Sequence, residues 1–460
     1  MRLRLPSDRR VLVVLVVGLR PVDLADMPAL AALVGAGRHG PLRTVVPAVT
    51  STVQASLLTG LMPRDHGVVA NGWYFRDLAQ VWFWRQSRHL IQGPAVYDLA
   101  KAARPGHRTA QLFWWFNMYT GCALSVTPRP QYHADGYKTF ALYSEPPELE
   151  RELERARGAF PFHAFWGPLA GLPSSRWIAG AAADVLERHA PDLALVYLPH
   201  LDYDHQRFGP GDPRSRRAAR DLDGVLADLC ARARERGYEL LLCSEYGIED
   251  VERPVFPNRA LRAAGLLRVQ DTAHGELLDA GASRAFAVVD HQCAHVYVRD
   301  EADLARTRAV LAGMEGVARV LDREGQCALG LDHERAGELF VLAERGTWLA
   351  YNYWLEEDRR PDFAPTVDIH RKPGYDPAEL FVDPRLRLPR LRVARRLLQK
   401  QLGFRYLMDV VPTDPSPVRG SHGLEPAVAE RGPMWVATEA LGAAMRLEGE
   451  VPATRLLVEG

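Results

Sequence analysis

The run Val11–Leu19, VLVVLVVGL, is apolar at consecutive positions instead of alternate ones. A strand with one wet face alternates, so a short β-branched run bounded by charge and by Gly18 and Pro21 reads as a strand buried on both faces of a parallel sheet. The basic residues ahead of it mimic a secretion signal. The run is short and passes into Arg-Pro-Val-Asp, without a small-residue cleavage site, so the buried strand is the better reading. Two later segments repeat the pattern, LALVYL at 193–198 and YELLLC at 238–243, and helix-compatible stretches lie between them. This alternation predicts an α/β protein with a mainly parallel sheet and helices on both faces. Ligands of such sheets bind beyond the carboxyl ends of the strands. The polar residues that follow the later runs, Asp202 and then Glu245 with Tyr246, are therefore the first site candidates.

With 460 residues the chain accommodates two domains, or one large α/β domain carrying an inserted cap. Lys and Arg total 57 and Asp and Glu total 57, so no overall field favours a nucleic-acid polymer or an anionic membrane. No run reaches the roughly 18 to 20 apolar residues that a membrane span needs. The 5 cysteines form no CxxC pair, which suits buried free thiols in a reducing, cytoplasmic setting.

Chemistry concentrates in PAVTSTVQASLLTGLMPRDHGVVANGWYF, Pro47 to Phe75. A proline and a hydroxyl cluster precede a helix-forming segment, so hydroxyls and free backbone N–H groups gather at one helix N-terminus, a setting suited to an anion. Thr50 stands there as a candidate nucleophile. A lone TST is more often only a cap. What distinguishes this one is the order of the residues around it, Pro47, Thr50, Thr59-Gly60, Pro63, His66-Gly67 and Asn71, followed by D-x-x-x-Q-x-x-G-P at 202–210, S-E-Y-G at 244–247 and G-S-H-G at 420–423.

That series resembles the nucleotide pyrophosphatase/type I phosphodiesterase family of the alkaline phosphatase superfamily. The resemblance implies an alkaline-phosphatase-like core with a small inserted α+β cap. It also implies a hydrolase of phosphodiester, pyrophosphate or related phosphoester bonds that uses Thr50 and divalent metal, zinc in the family. Carried over residue by residue, it gives Asp202, Gln206, Glu245 and His422 as metal positions; His370 is added as a substitute ligand from the chemistry of its own D-x-H stretch. Asn71 and Tyr246, at matched positions, are expected substrate contacts, and the residue types add Trp73 as a stacking ring and Arg371 and Lys372 as phosphate-binding cations. The sequence departs from the family at Val17, where an Asp is expected, at Gln206, where a His is expected, and at Glu245-Tyr246, where Asp-His is expected. The surviving oxygen donors suit Mg²⁺ or Mn²⁺ by ligand hardness. The same departures define an alternative, a catalytically degenerate member that binds a phosphorylated ligand or serves as a scaffold.

The expected division is 1–270 for the first part of the core, 271–350 for a cap-like β–α–β–β insertion, and 351–460 for a loop-rich return to the core. Residues 73–134 are rich in aromatic side chains, read mainly as core. DIHRKPGYDP at 368–377 groups Asp368, His370, Arg371 and Lys372, a set suited to metal or phosphate, whereas Asp290, His291 and His295 read as structural. No G-x-S-x-G elbow supports an esterase and no carboxylate pair supports a glycosidase. The expected partner is a small phosphorylated substrate, and the expected state is a monomer or homodimer.

Overall fold

The computed structural model describes residues 2–6, 8–134 and 137–459. Its main sheet has 9 strands. In chain order they are β1 (Arg10–Val16), β2 (Arg38–Arg43), β3 (Thr109–Leu112), β4 (Leu124–Pro128), β5 (Leu142–Glu145), β6 (Leu193–Leu198), β7 (Tyr238–Cys243), β8 (Met434–Ala437) and β9 (Val451–Pro452). Across the sheet the order is β5-β4-β3-β6-β1-β7-β8-β2-β9. The stretch β4-β3-β6-β1-β7 is parallel, with Leu195 facing Val13 and Leu241 facing Val13 from the other side. β5, β8 and β2 add antiparallel pairings at the margins. The sheet is therefore mixed: the apolar runs form its parallel centre, and a short parallel pair, β2 with β9, recurs at one margin. Every residue of β1 after Arg10 is buried, as are all of β6.

The helices that matter to the site are α1 (Thr50–Thr59), α2 (Leu172–Arg188), α3 (His200–Phe208) and α4 (Pro213–Glu235). All residues of α1 are buried despite its hydroxyls. Several of its polar groups find partners, Thr59 Oγ1 donating to Ala55 O at 2.7 Å and Ser56 Oγ meeting His66 Nε2 at 2.9 Å, while the buried Thr52 hydroxyl has none among the described residues. Gly60 ends the helix with φ 72°, the left-handed geometry that glycine adopts without a Cβ penalty.

A separate antiparallel sheet of 4 strands forms from Ala285–Asp290, Cys293–Val298, Val317–Leu321 and Leu339–Ala343. The segment AFAVVDHQCAHVYV is a hairpin. It breaks at His291, whose φ of 59° reverses the chain. The chain then returns through Gly420–Ser421, which pairs with Glu249–Asp250. A Cβ at Gly420 would lie 2.1 Å from His205 O, so only glycine lets this return strand pass α3.

Candidate active site

The ends of β6 and β7 and the return loop converge on Thr50. The residue is the first of α1 and is buried, and its Oγ1 lies 3.0 Å from the Tyr246 hydroxyl. Tyr246 follows β7 and donates a long 3.5 Å hydrogen bond to Asp202 Oδ1, in the first turn of α3 beyond β6. With Tyr246 donating to Asp202, the Thr50 hydroxyl donates to the Tyr246 oxygen. The other Asp202 oxygen accepts from Gln206 Nε2 at 2.7 Å, one helical turn on, and Gln206 Oε1 accepts from Tyr375 OH at 2.8 Å.

A column of rings braces the opposite side. Tyr246 lies flat on His422 with centroids 3.5 Å apart, His422 meets His291 at 3.7 Å, and His291 meets Tyr375 at 3.7 Å. The hydrogen bonds and the stack together form a closed circuit: Tyr246, His422, His291, Tyr375, Gln206, Asp202 and back to Tyr246. His422 Nδ1 donates to Ala48 O at 2.8 Å, while Ala48 N–H donates to Gly423 O at 3.0 Å, so the G-S-H-G loop is clipped to the turn that bears Thr50. His422 Nε2 is left bare, buried without a hydrogen-bond partner and 3.9 Å from Asp202 Oδ1.

Burial controls the charges. It raises the Asp202 carboxyl to about 7, opposed by the Gln206 and Tyr246 hydrogen bonds. It pushes the Glu245 carboxyl and the Tyr246 phenol well above their usual ranges, and it drives His422 and His291 well below theirs, so both imidazoles are neutral. Burial likewise lifts Asp290 to about 6.

Thr50 opens into a cavity of about 710 Å³. Its walls are aromatic, including Trp84, Trp115, Trp166, Tyr197 and Tyr375, and Arg85, Lys138 and Arg371 stand among the lining residues. Such a shape suits a small molecule with an apolar or ring-bearing part and an anionic group. Trp84 and His291, both in the lining, hold φ of 60° and 59°, the kind of outlier that collects at functional sites.

Thus Thr50, Asp202, Gln206, Tyr246 and His422 come together. Glu245 sits behind them, its carboxyl facing Gln54 Nε2 at 3.4 Å. His370 and Arg371 lie in the cavity wall. The His370 ring nitrogen is 3.4 Å from Phe83 O and Arg371 pairs with Asp368 at 3.1 Å, so His370 does not join the Thr50 cluster. Lys372, Asn71 and Trp73 are absent from the lining. Lys372 is 2% exposed and clamped between Asp376 at 2.7 Å and Glu379 at 2.8 Å. Burial alone would lower its pKa, but the two carboxylates outweigh it and raise it. Asn71 accepts from Ser51 N–H at 2.8 Å and donates to Asp290 at 3.0 Å, tying the start of α1 to the small sheet. Trp73 stacks on Phe75 under the Arg335 guanidinium.

The donors present do not match the two-cation centre that the family resemblance implies. Val17 offers no lone pair, the Tyr246 hydroxyl stands against Thr50, and one oxygen of Asp202 is held by an amide. Among the described residues no group of 3 or more His, Cys, Asp or Glu side chains is arranged to hold a metal. Asp202 and His422 come nearest, and two protein donors fall short of the usual three of a catalytic cation.

His291, Asp290 and Tyr375 join the site although the sequence marked none of them for it. Tyr375 stands in the same DIHRKPGYDP stretch as His370, and that clustering was the available signal. Asp290 and His291 gain their place from the hairpin turn.

The sequence profile described as type I phosphodiesterase/nucleotide pyrophosphatase matches residues 11–376. An uncharacterised pyrophosphatase/phosphodiesterase of Schizosaccharomyces pombe is 22% identical over 255 residues, a match covering 54% of this chain and only 44% of that protein's length. Phosphonoacetate hydrolase from Sinorhizobium meliloti, solved with phosphonoformate, superposes with a TM-score of 0.58 at 16% identity, covering 95% of this chain and 91% of that one. Murine ectonucleotide pyrophosphatase/phosphodiesterase 5 superposes with a TM-score of 0.55 at 14% identity, covering 97% and 92%. At such identities the superpositions speak for the fold. With a profile that runs from β1 through the small sheet to Tyr375, and with Thr50, Asp202 and Tyr246 inside it, the chain belongs to the type I phosphodiesterase/nucleotide pyrophosphatase family.

Proposed function

We propose that the protein hydrolyses phosphoester bonds, with phosphodiesters or pyrophosphates of small molecules as its substrate class, and that Thr50 is the attacking group. The observation that carries this reading is the Thr50 hydroxyl at the floor of an aromatic cavity, hydrogen-bonded to Tyr246 at 3.0 Å. Thr50 Oγ attacks phosphorus and the bond from phosphorus to the leaving oxygen breaks, giving a phosphoryl-threonine that water then cleaves. The hydroxyl proton passes to Tyr246 as the Tyr246 proton passes to Asp202, whose carboxyl near 7 accepts it at neutral to alkaline pH. Arg85 and Arg371 supply positive charge in the cavity wall, and Trp84, Trp115 and Trp166 pack the organic part of the substrate. The reading gains support from the murine relative, whose threonine-to-alanine variant is inactive and was solved with AMP.

The test is turnover of bis(p-nitrophenyl) phosphate and of p-nitrophenyl nucleotide esters, with Mn²⁺, Mg²⁺, Zn²⁺ or chelator. Thr50→Ala is expected to lose at least about a thousandfold in kcat, and Thr50→Ser to retain measurable turnover. Equal turnover in wild type and Thr50→Ala would remove Thr50 from the reaction. A wild type that binds AMP without any turnover would leave a ligand-binding protein on the same fold.

A further inference from the structure

The helix α5 (Pro389–Gln401) buries none of its residues. Most amphipathic helices hide their apolar stripe against a core, whereas this one turns it to solvent. Leu388, Leu391, Leu398 and Leu402 recur at helical spacing and are between 54% and 66% exposed, and Phe404 just beyond is 64% exposed. The side that meets the protein is polar: Arg392 and Arg396 both pair with Asp409, and Lys400 lies 4.6 Å from the Tyr137 ring.

The outward stripe is framed by cations without partners. Among the described residues Arg387, Arg390, Arg395 and Arg405 make no ion pair or hydrogen bond, and no acidic residue occurs between Asp383 and Asp409. Arg387, Arg392, Arg395 and Arg396, with Leu388 and Leu391, line a groove of about 370 Å³. A groove walled by guanidinium groups and flanked by exposed leucines is complementary to a phosphate headgroup with acyl chains beside it. A second copy of the chain fits poorly, because a two-fold contact would bring the same arginines against themselves. A nucleic acid would leave the leucines in water.

We propose that the 386–407 segment docks the protein onto an anionic lipid surface, with the leucine stripe seated among the acyl chains near the headgroups and the arginines on lipid phosphates. No described helix is long and apolar enough to cross a membrane, so the contact is peripheral. The docking element also adjoins the cavity. Lys400 rests over Tyr137, and its chain neighbour Lys138 is a lining residue, so the bound face lies beside the cavity rim.

The test is co-sedimentation of the full chain with phosphatidylcholine vesicles, with and without phosphatidylglycerol, at low and at physiological salt. Wild type is expected to bind the mixed vesicles, to spare pure phosphatidylcholine, and to weaken as salt rises. Leu391→Glu/Leu398→Glu and Arg390→Glu/Arg395→Glu are each expected to reduce binding about tenfold or more, with unchanged circular dichroism and melting, because the altered side chains are exposed. Absence of binding to anionic vesicles overturns the proposal. So does binding that both double variants leave intact, or a concentration-dependent dimer that the same variants abolish while vesicles compete for nothing. Retention on heparin or nucleic acid that depends on the arginines alone, with the leucine variant binding vesicles normally, assigns the face to a polyanion and also overturns it.

Discussion

Tyr246 holds the position on which the site chemistry turns, because its hydroxyl touches both Thr50 and Asp202 while its ring is the end of the stacked column. Its partner Asp202 gives the site a pH signature. In the unfolded chain the carboxyl titrates near its ordinary value, and in the folded protein burial holds it near 7. Between those values the folded state binds more protons, so this group's contribution falls as pH rises and is fully lost above about 7. Asp202→Asn removes that penalty. Its melting temperature relative to wild type is expected to climb from pH 4 to pH 8, with relative stability gaining about 1.4 kcal/mol per pH unit between the unfolded and folded titration points, while turnover is lost. A flat difference across that range, read by thermal melts in matched buffers, would show that Asp202 is already ionised at low pH. Thr50, Asp202 and His422 were legible in the sequence because each follows a strand or sits in a short fixed motif. His291 and Tyr375 were not, because a ring's position in a stack depends on a hairpin turn and a loop far away in the chain.

At the scale of elements, the site depends on close backbone approach. The return strand crosses α3 where Gly420 leaves no room for a Cβ, and the same loop carries His422 and clips Ala48. Gly420→Ala is expected to displace that loop, costing about 2 kcal/mol or more of stability, and to lower kcat well beyond what the stability loss explains. Denaturant melts together with turnover at saturating substrate separate the two effects, and unchanged values in both would mean that the strand yields freely. The central strands were readable because burial on both faces writes a continuous apolar run. The margins were not. β2 reads RHGPLR, with glycine and proline and no alternation, and it becomes a strand because Met434–Ala437 and Val451–Pro452 arrive to pair with it on either side. Sequence patterns report burial, and β2 has little of it, with Leu42 its one buried residue.

For the molecule as a whole, a formal charge of zero conceals an uneven distribution. The exposed arginines of α5 are balanced by acidic residues elsewhere, which is why bulk composition argued against an anionic membrane while the local surface argues for one. The circuit of side chains around Thr50 is also a whole-molecule property, since its members come from α3, the end of β7, the small sheet, the loop at 375 and the return at 422. Groups joined in a ring do not contribute independently. Tyr246→Phe and Tyr375→Phe each remove one hydroxyl from the same ring, and the double variant is expected to lose less stability than the two single losses combined, by about 0.5 kcal/mol or more in a double-mutant cycle. Strict additivity would show two separate contacts.

That circuit also bears on the order in which the protein matures. The central strands can pair once Cys243 has been reached, but the ring cannot close until His422 has come back to Ala48 across most of the chain. Contacts of such wide sequence separation form late. The nascent molecule therefore passes through a stage with the centre of its sheet built and the ring around Thr50 still open.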